Sequence, residues 1–319
     1  MEKLFKQLEF KETHFVQGRY SIADLFNPKE RCGIYILHFE NKQFYVGLAI
    51  DIVRRYTQHR KNHSDIAHIS FKNIKKEQLE KEEKHVVQYL QSEGLSLRNI
   101  QLVSIIEGET DFDLLMSVEQ QEIFISNLTF NSFEGDKFEI EEQRIKYERN
   151  FKNLYKLPYF DSVIKALKIY TRIGIPFPKI TEYSFWCITA PGNSSKFSRI
   201  NINWQEVCTF IFLKNGFEIT FHLAKSPLIE AFGRNLDKLF DQFQDLELMV
   251  DENNASHTYA PGGQDQIAFV ISSTNFFDFI EIEAVQKAIR LFNLRLMRKG
   301  ATIYNRYHSF DLSRVIFED

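Results

Sequence analysis

The chain has 319 residues, 44% of them hydrophobic, and a formal net charge of -3. That length suits two ordinary domains with real cores, and neither half is basic, so any polyanion site must be a local patch. Cys32, Cys187 and Cys208 form no CxxC pair, which argues against a zinc site or a disulfide framework and for a reduced, cytoplasmic setting. No run of about 18 apolar residues exists, so no membrane span is expected, and Met1 to Phe10 does not read as a signal peptide.

Residues 1–30 read as a leader with a short helix over Tyr20–Phe26. Gly33–Phe39 and Gln43–Leu48 then read as two strands joined by a turn at Glu40-Asn41-Lys42. A helix follows, capped by Asp51, with Ile52 and Tyr56 on its apolar stripe. A second, highly charged helix covers 73–93, burying Leu79, Val86, Val87 and Leu90 and ending at Gly94. Gln101–Ile106 reads as a third strand, Asp111–Ser126 as a helix, and the polar stretch 133–150 as a linker. The expected domains are therefore 1–150 and 151–319, with an α+β fold: first a small three-stranded, mostly antiparallel sheet flanked by helices, then a mixed sheet with two long helices. In the second half, strands are expected at Ser184–Thr189, Ile200–Trp204, Val207–Leu213, Phe217–Leu223 and Ile267–Ser272. Lys214-Asn215-Gly216 reads as a hairpin turn, with helices from Ser226-Pro227 to about Phe243 and over Ile280–Arg298.

Gly33-Ile34-Tyr35 lies on the first strand and Tyr45-Val46-Gly47 on the second, with the tyrosines ten positions apart. Arg55 and His59 share a helix face at i,i+4. Glu119 sits in the frame Leu115-x-x-x-Glu119-x-x-x-Ile123, and Asn131 follows Phe130. Over about residues 31–132 this series resembles the GIY-YIG nuclease family.

The resemblance implies a Mg2+-dependent phosphodiesterase, with Mn2+ as a substitute metal and DNA as substrate. Glu119 would be the metal carboxylate, a single ligand being enough for an ion that keeps most of its waters. Arg55 would hold phosphate, Tyr35 would act as general base, Tyr45 would position water or phosphate, His59 would relay the proton and Asn131 would brace the site. Glu122 and Asn127 compete with Glu119 and Asn131 for their roles. Positive charge near Tyr35 would have to lower its pKa from about 10.

The basic stretch after the helix, with Arg60, Lys61, Lys72, Lys75 and Lys76, would contact DNA phosphates. The loop 191–196 and the segment 253–257 are polar candidates for nucleic-acid contact, but read more readily as plain surface. The implied function is a restriction or anti-phage endonuclease. The alternatives are a repair or homing endonuclease, or an inactive DNA-binding scaffold. A single site cuts one strand, so double-strand cleavage would require a homo-oligomer or a flip on the substrate.

Overall fold

The computed structural model describes residues 2–100, 102–106, 108, 110–136, 138–190, 197–213, 216–251 and 256–318. The chain forms two compact units, Met1–Glu107 and Gly108–Asp319. Both are α+β, and both sheets are antiparallel.

In the first unit, helix α1 (Glu2–Gln7) and strand β1 (Thr13–Phe15) precede β2 (Gly33–Phe39), β3 (Phe44–Ala49), α2 (Ile52–Asn62), β4 (Ile66–Asn73) and α3 (Leu79–Ser92). The sheet has four strands in the order β1-β4-β2-β3, where three were expected. The additional partners are β1, in the supposed leader, and β4. The expected strand at 101–106 has no described strand residue, and its Gln101 lies outside the described residues. Residues 20–26 form turns instead of a helix, with Arg31 donating to the carbonyls of Ala23 and Phe26.

Period-two alternation on β2 sends Ile34 and Ile36 to one face, packed with Val86, Val87 and Leu90 of α3. Tyr35, Leu37 and Phe39 go to the other face, packed with Ile52 and Tyr56 of α2. Each such fully buried side chain contributes roughly 1.5–3 kcal/mol. The outer edge of β3 is covered by the segment after α3. Phe44 N–H donates to Ser96 O at 2.9 Å and Arg98 N–H to Phe44 O at 2.7 Å. Covering this edge removes a template for pairing with another chain.

The second unit begins with α4 (Val118–Ser126), α5 (Glu141–Tyr155), α6 (Phe160–Gly174) and the short α7 (Pro178–Thr181). Strands β5 (Trp186–Thr189), β6 (Phe197–Ile202), β7 (Gln205–Leu213) and β8 (Gly216–Leu223) follow, then α8 (Lys225–Phe232), α9 (Asp237–Gln242), β9 (Glu247–Leu248) and β10 (Ile267–Ser272). The unit ends with α10 (Phe276–Ile280), α11 (Glu283–Arg298) and α12 (Phe310–Phe317). Its six-stranded sheet runs β5-β6-β7-β8-β10-β9.

This sheet is wholly antiparallel, not mixed. Four strands consecutive in the chain, β5 to β8, each pair antiparallel with the next, and β10 and β9 add antiparallel beyond β8. The expected helix to Phe243 is divided after Phe232 by Gly233 at φ +82°. Lys214 and Asn215 lie outside the described residues, as do 191–196 and 253–255. The expected boundary near 150 falls inside α5, and the charged stretch before it belongs to the unit. Arg144 pairs with Glu141 at 2.6 Å and Asp311 at 3.5 Å, and Arg314 pairs with Glu139 at 2.5 Å. Among the described residues no helix is long and apolar enough to cross a membrane.

Candidate active site

Strand register brings the two tyrosines together. Tyr35 pairs directly with Gly47, and Tyr45 pairs with Leu37, so the tyrosines sit diagonally on one face. Their rings stack at 6.2 Å with a 27° interplanar angle. A Cβ on Gly47 would lie 2.3 Å from Tyr35 Oη and 2.5 Å from Cζ, so the Tyr35 ring lies across the space a side chain would fill. A Cβ on Gly33 would lie 2.0 Å from the Lys72 carbonyl oxygen. The two glycines therefore serve close approach, one to the phenol and one to β4. Gly47→Ala is expected to destabilise the protein by roughly 1–3 kcal/mol through overpacking. Denaturant unfolding measures this, and a wild-type midpoint would refute the close packing.

Helix α2 supplies the remaining groups. Asp51 caps it, its Oδ1 accepting from Val53 N–H at 2.9 Å and Arg54 N–H at 3.1 Å. One turn in, Arg55 Nε donates to Tyr35 Oη at 3.1 Å, and Arg55 Nη1 donates to Gln58 Oε1 at 3.2 Å. His59 Nε2 lies 2.6 Å from Tyr35 Oη, and its ring is 4.9 Å from that of Tyr45. Because Arg55 can only donate, Tyr35 satisfies all three groups by donating its own proton to a neutral His59.

Burial holds His59 neutral. It pushes the imidazole pKa down to about 4, assisted by the Arg55 charge and His63. Burial also raises the Tyr35 pKa, with Tyr45 adding to the rise, and the Arg55 hydrogen bond and charge only partly oppose it. Arg55 lowers the Tyr35 pKa as expected, but desolvation outweighs it, and His59, neutral at pH 7, adds no charge. The pH dependence of stability follows with a definite sign. An unfolded His59 titrates near 6.5 and the folded one near 4, so between these values the unfolded state binds more protons. The His59 contribution is complete above pH 6.5 and falls as pH drops toward 4. Denaturation followed against pH is expected to show a shallower acid decline for His59→Gln than for wild type.

Beside this cluster lies an open cleft of about 450 Å³, lined among others by Ile50, Arg54, Arg55, Gln58 and Glu83. Arg54 is exposed on its rim. Glu83, on α3, is half-buried and accepts the backbone N–H of Leu48. Burial raises its carboxyl pKa, while Leu48 N–H and the Arg55 charge pull it back. The Glu83 charge in turn acts on both phenols. A half-buried carboxylate facing a cleft beside an arginine and two phenols is a chemically suitable single-carboxylate site for a hard divalent cation. Among the described residues no group of three or more His, Cys, Asp or Glu side chains forms a fuller metal cage.

Tyr35, Tyr45, Arg55 and His59 are thus brought together in the first unit. Glu119 and Asn131 belong to the second. Glu119 is exposed in the first turn of α4. Its expected helical frame does not form, because Ser117 caps the helix and leaves Leu115 outside it. Asn131 Nδ2 donates to the carbonyls of Arg172 at 2.8 Å and Ile175 at 2.9 Å, and its Oδ1 accepts from Phe177 N–H at 3.0 Å. It braces a turn of the second unit.

In the first unit a buried asparagine, Asn99, braces strand β3. It takes Val46 N–H at 2.9 Å and donates to Val46 O at 2.8 Å, holding β3 between Tyr45 and Gly47. Sequence reasoning missed both Glu83 and Asn99. The signal for Glu83 was Leu79-x-x-x-Glu83-x-x-x-Val87, the same frame that pointed to Glu119.

Of the basic residues, Lys61, Lys75 and Lys76 are exposed. Arg60 is half-buried and donates to Ser64 O at 3.2 Å. Lys72 is not available to phosphate. It is 8% exposed, donates to Leu8 O at 2.8 Å and is ion-paired with Glu82. No family model matches the chain, and no curated protein or solved structure matches it significantly.

Proposed function

We propose that the first unit is the catalytic module of a Mg2+-dependent DNA endonuclease of restriction or anti-phage type, resembling the GIY-YIG nucleases. The observation that carries this reading is the hydrogen-bonded set Arg55–Tyr35–His59 beside the cleft that Glu83 lines. Phosphodiester hydrolysis needs a positioned nucleophile, a proton acceptor and charge stabilisation at phosphorus, and these residue types supply each.

Arg55 releases Tyr35 when its guanidinium grips the scissile phosphate, and that frees a lone pair on Tyr35 Oη for the attacking water. The water's proton passes to Tyr35 as the phenol's own proton passes to neutral His59, so no phenolate has to form first. Tyr45, stacked on Tyr35, holds the phenol in place and offers its hydroxyl to the phosphate. Glu83 would hold the metal, with Mn2+ as a substitute. The ion, when bound, stabilises the leaving oxygen and the charge developing at phosphorus. Lys61, Lys75 and Lys76, with Arg54 on the cleft rim, would contact neighbouring phosphates and make binding salt-sensitive.

The test is incubation of the full chain with Mg2+ and plasmid, phage or single-stranded DNA. Cutting that requires metal and is lost in Tyr35→Phe and Arg55→Ala is the expected result. DNA binding without cutting by the wild-type chain would instead favour an inactive binding scaffold.

A further inference from the structure

The second unit holds a cavity of about 300 Å³ that the cleavage chemistry does not use. The rings of Phe138, Phe310 and Phe317 line it, and Phe310 is backed by Tyr183, stacked at 5.8 Å and 19°. At its wall stands Glu182, whose side chain is 7% exposed. One carboxylate oxygen, Oε1, takes all of its side-chain hydrogen bonds, from His308 Nε2 at 3.0 Å and from the Ser313 hydroxyl. His308 Nδ1 accepts from Ile188 N–H at 3.2 Å, so the proton that bonds Glu182 is on Nε2 and this imidazole is neutral.

Glu182 therefore presents a second carboxylate oxygen with no hydrogen-bond partner. A carboxylate oxygen left accessible on a cavity whose walls are otherwise largely aromatic calls for a flat ligand that donates to it.

We infer that this cavity binds a nucleobase bearing an exocyclic amino group. The amino group donates to Glu182, and the flat faces pack on the phenylalanine rings. Carboxylate recognition of an exocyclic amine distinguishes cytosine and adenine from thymine and uracil, which present a carbonyl there. Carboxylates outnumber cations among the described lining residues, which disfavours the phosphates of a free nucleotide and favours a nucleoside or a base flipped out of DNA. The inference does not depend on nuclease activity.

Calorimetric titration of the full wild-type chain with cytidine, adenosine, uridine and thymidine tests it without any substitution. Binding of cytidine or adenosine at one per chain, with uridine and thymidine weaker by roughly tenfold or more, is expected. No binding, or equal binding of all four, overturns it. Glu182→Gln, checked for folding by circular dichroism, should reverse the preference, because the amide then donates where the carboxylate accepted. Unchanged preference in a folded Glu182→Gln protein also counts against the site. Competition by cytidine against a duplex with cytosine opposite an abasic site assigns the source. Displacement identifies a flipped base, and lack of displacement a free nucleoside. A cleavage-dead Glu83→Gln chain should keep nucleoside binding, so loss of one activity does not imply loss of the other.

Discussion

Glu83→Gln is expected to lower Mg2+-dependent cleavage by roughly 10³-fold, the effect of losing about 4 kcal/mol of transition-state stabilisation. The amide keeps the size of the side chain and its ability to accept the Leu48 N–H, so the fold should persist. What it removes is the negative charge facing the cleft beside Arg55. On the proposed reading, a magnesium ion held by one protein carboxylate would lose its charged anchor, so raising the Mg2+ concentration should recover part of the rate. Glu119→Gln, at an exposed position in the first turn of α4, is expected to leave cleavage within about twofold of wild type. Initial rates of plasmid cutting across a Mg2+ titration compare the two. Full activity in Glu83→Gln together with a dead Glu119→Gln would return the metal to Glu119.

This contrast shows which parts of the site a sequence pattern can carry. The hairpin was readable because its residues obey strand alternation, and register alone places Tyr35 beside Gly47. The helix bearing Arg55 and His59 was readable from the Asp51 cap and the buried Ile52 and Tyr56. Glu83 was hidden because Glu80-Lys81-Glu82-Glu83-Lys84 looks like a solvated face. What sets Glu83 apart is tertiary, since α3 packs where β3 ends and the Leu48 N–H meets it.

Strand β4 was hidden for a related reason. Its buried positions include Ser70 and Lys72, polar residues satisfied by partners far along the chain: Ser70 by Thr13 and His38, Lys72 by Leu8 and Glu82. Conversely, Gln101–Ile106 has the composition of a strand, yet Val103 enters the core from an irregular segment. The polar stretch leading into and through the start of α5 resembled a linker because its ion-pair partners lie on α12, more than 150 positions later.

Arg290 carries the largest stability effect expected in the second unit. It is 1% exposed on α11, between the core and the C-terminal end of α4. Its Nη1 donates to Phe124 O at 2.6 Å and to Asn127 O at 2.8 Å, and its Nη2 to Leu128 O at 2.7 Å. Its Nε donates to Ile173 O at 2.9 Å, near the end of α6. The last carbonyls of a helix have no intrahelical partner and carry the negative end of its dipole, so a buried guanidinium satisfies them with hydrogen bonds and charge together. Burial lowers the Arg290 pKa to about 10, which leaves it charged at neutral pH. The Phe124 ring faces the guanidinium at 4.4 Å and adds a cation–π contact.

Arg290→Met keeps much of the volume but leaves these carbonyls buried without donors. Several orphaned acceptors at about 1–3 kcal/mol each, softened by relaxation and entering water, give an expected loss of roughly 3–5 kcal/mol. Arg290→Lys should recover only part of it, because an ammonium cannot span carbonyls of α4 and α6 as the planar fork does. Denaturant unfolding of the three proteins measures the order, with wild type above lysine above methionine. A methionine variant as stable as wild type would mean that the carbonyls find water, and that Arg290 is not what joins the ends of α4 and α6 to α11.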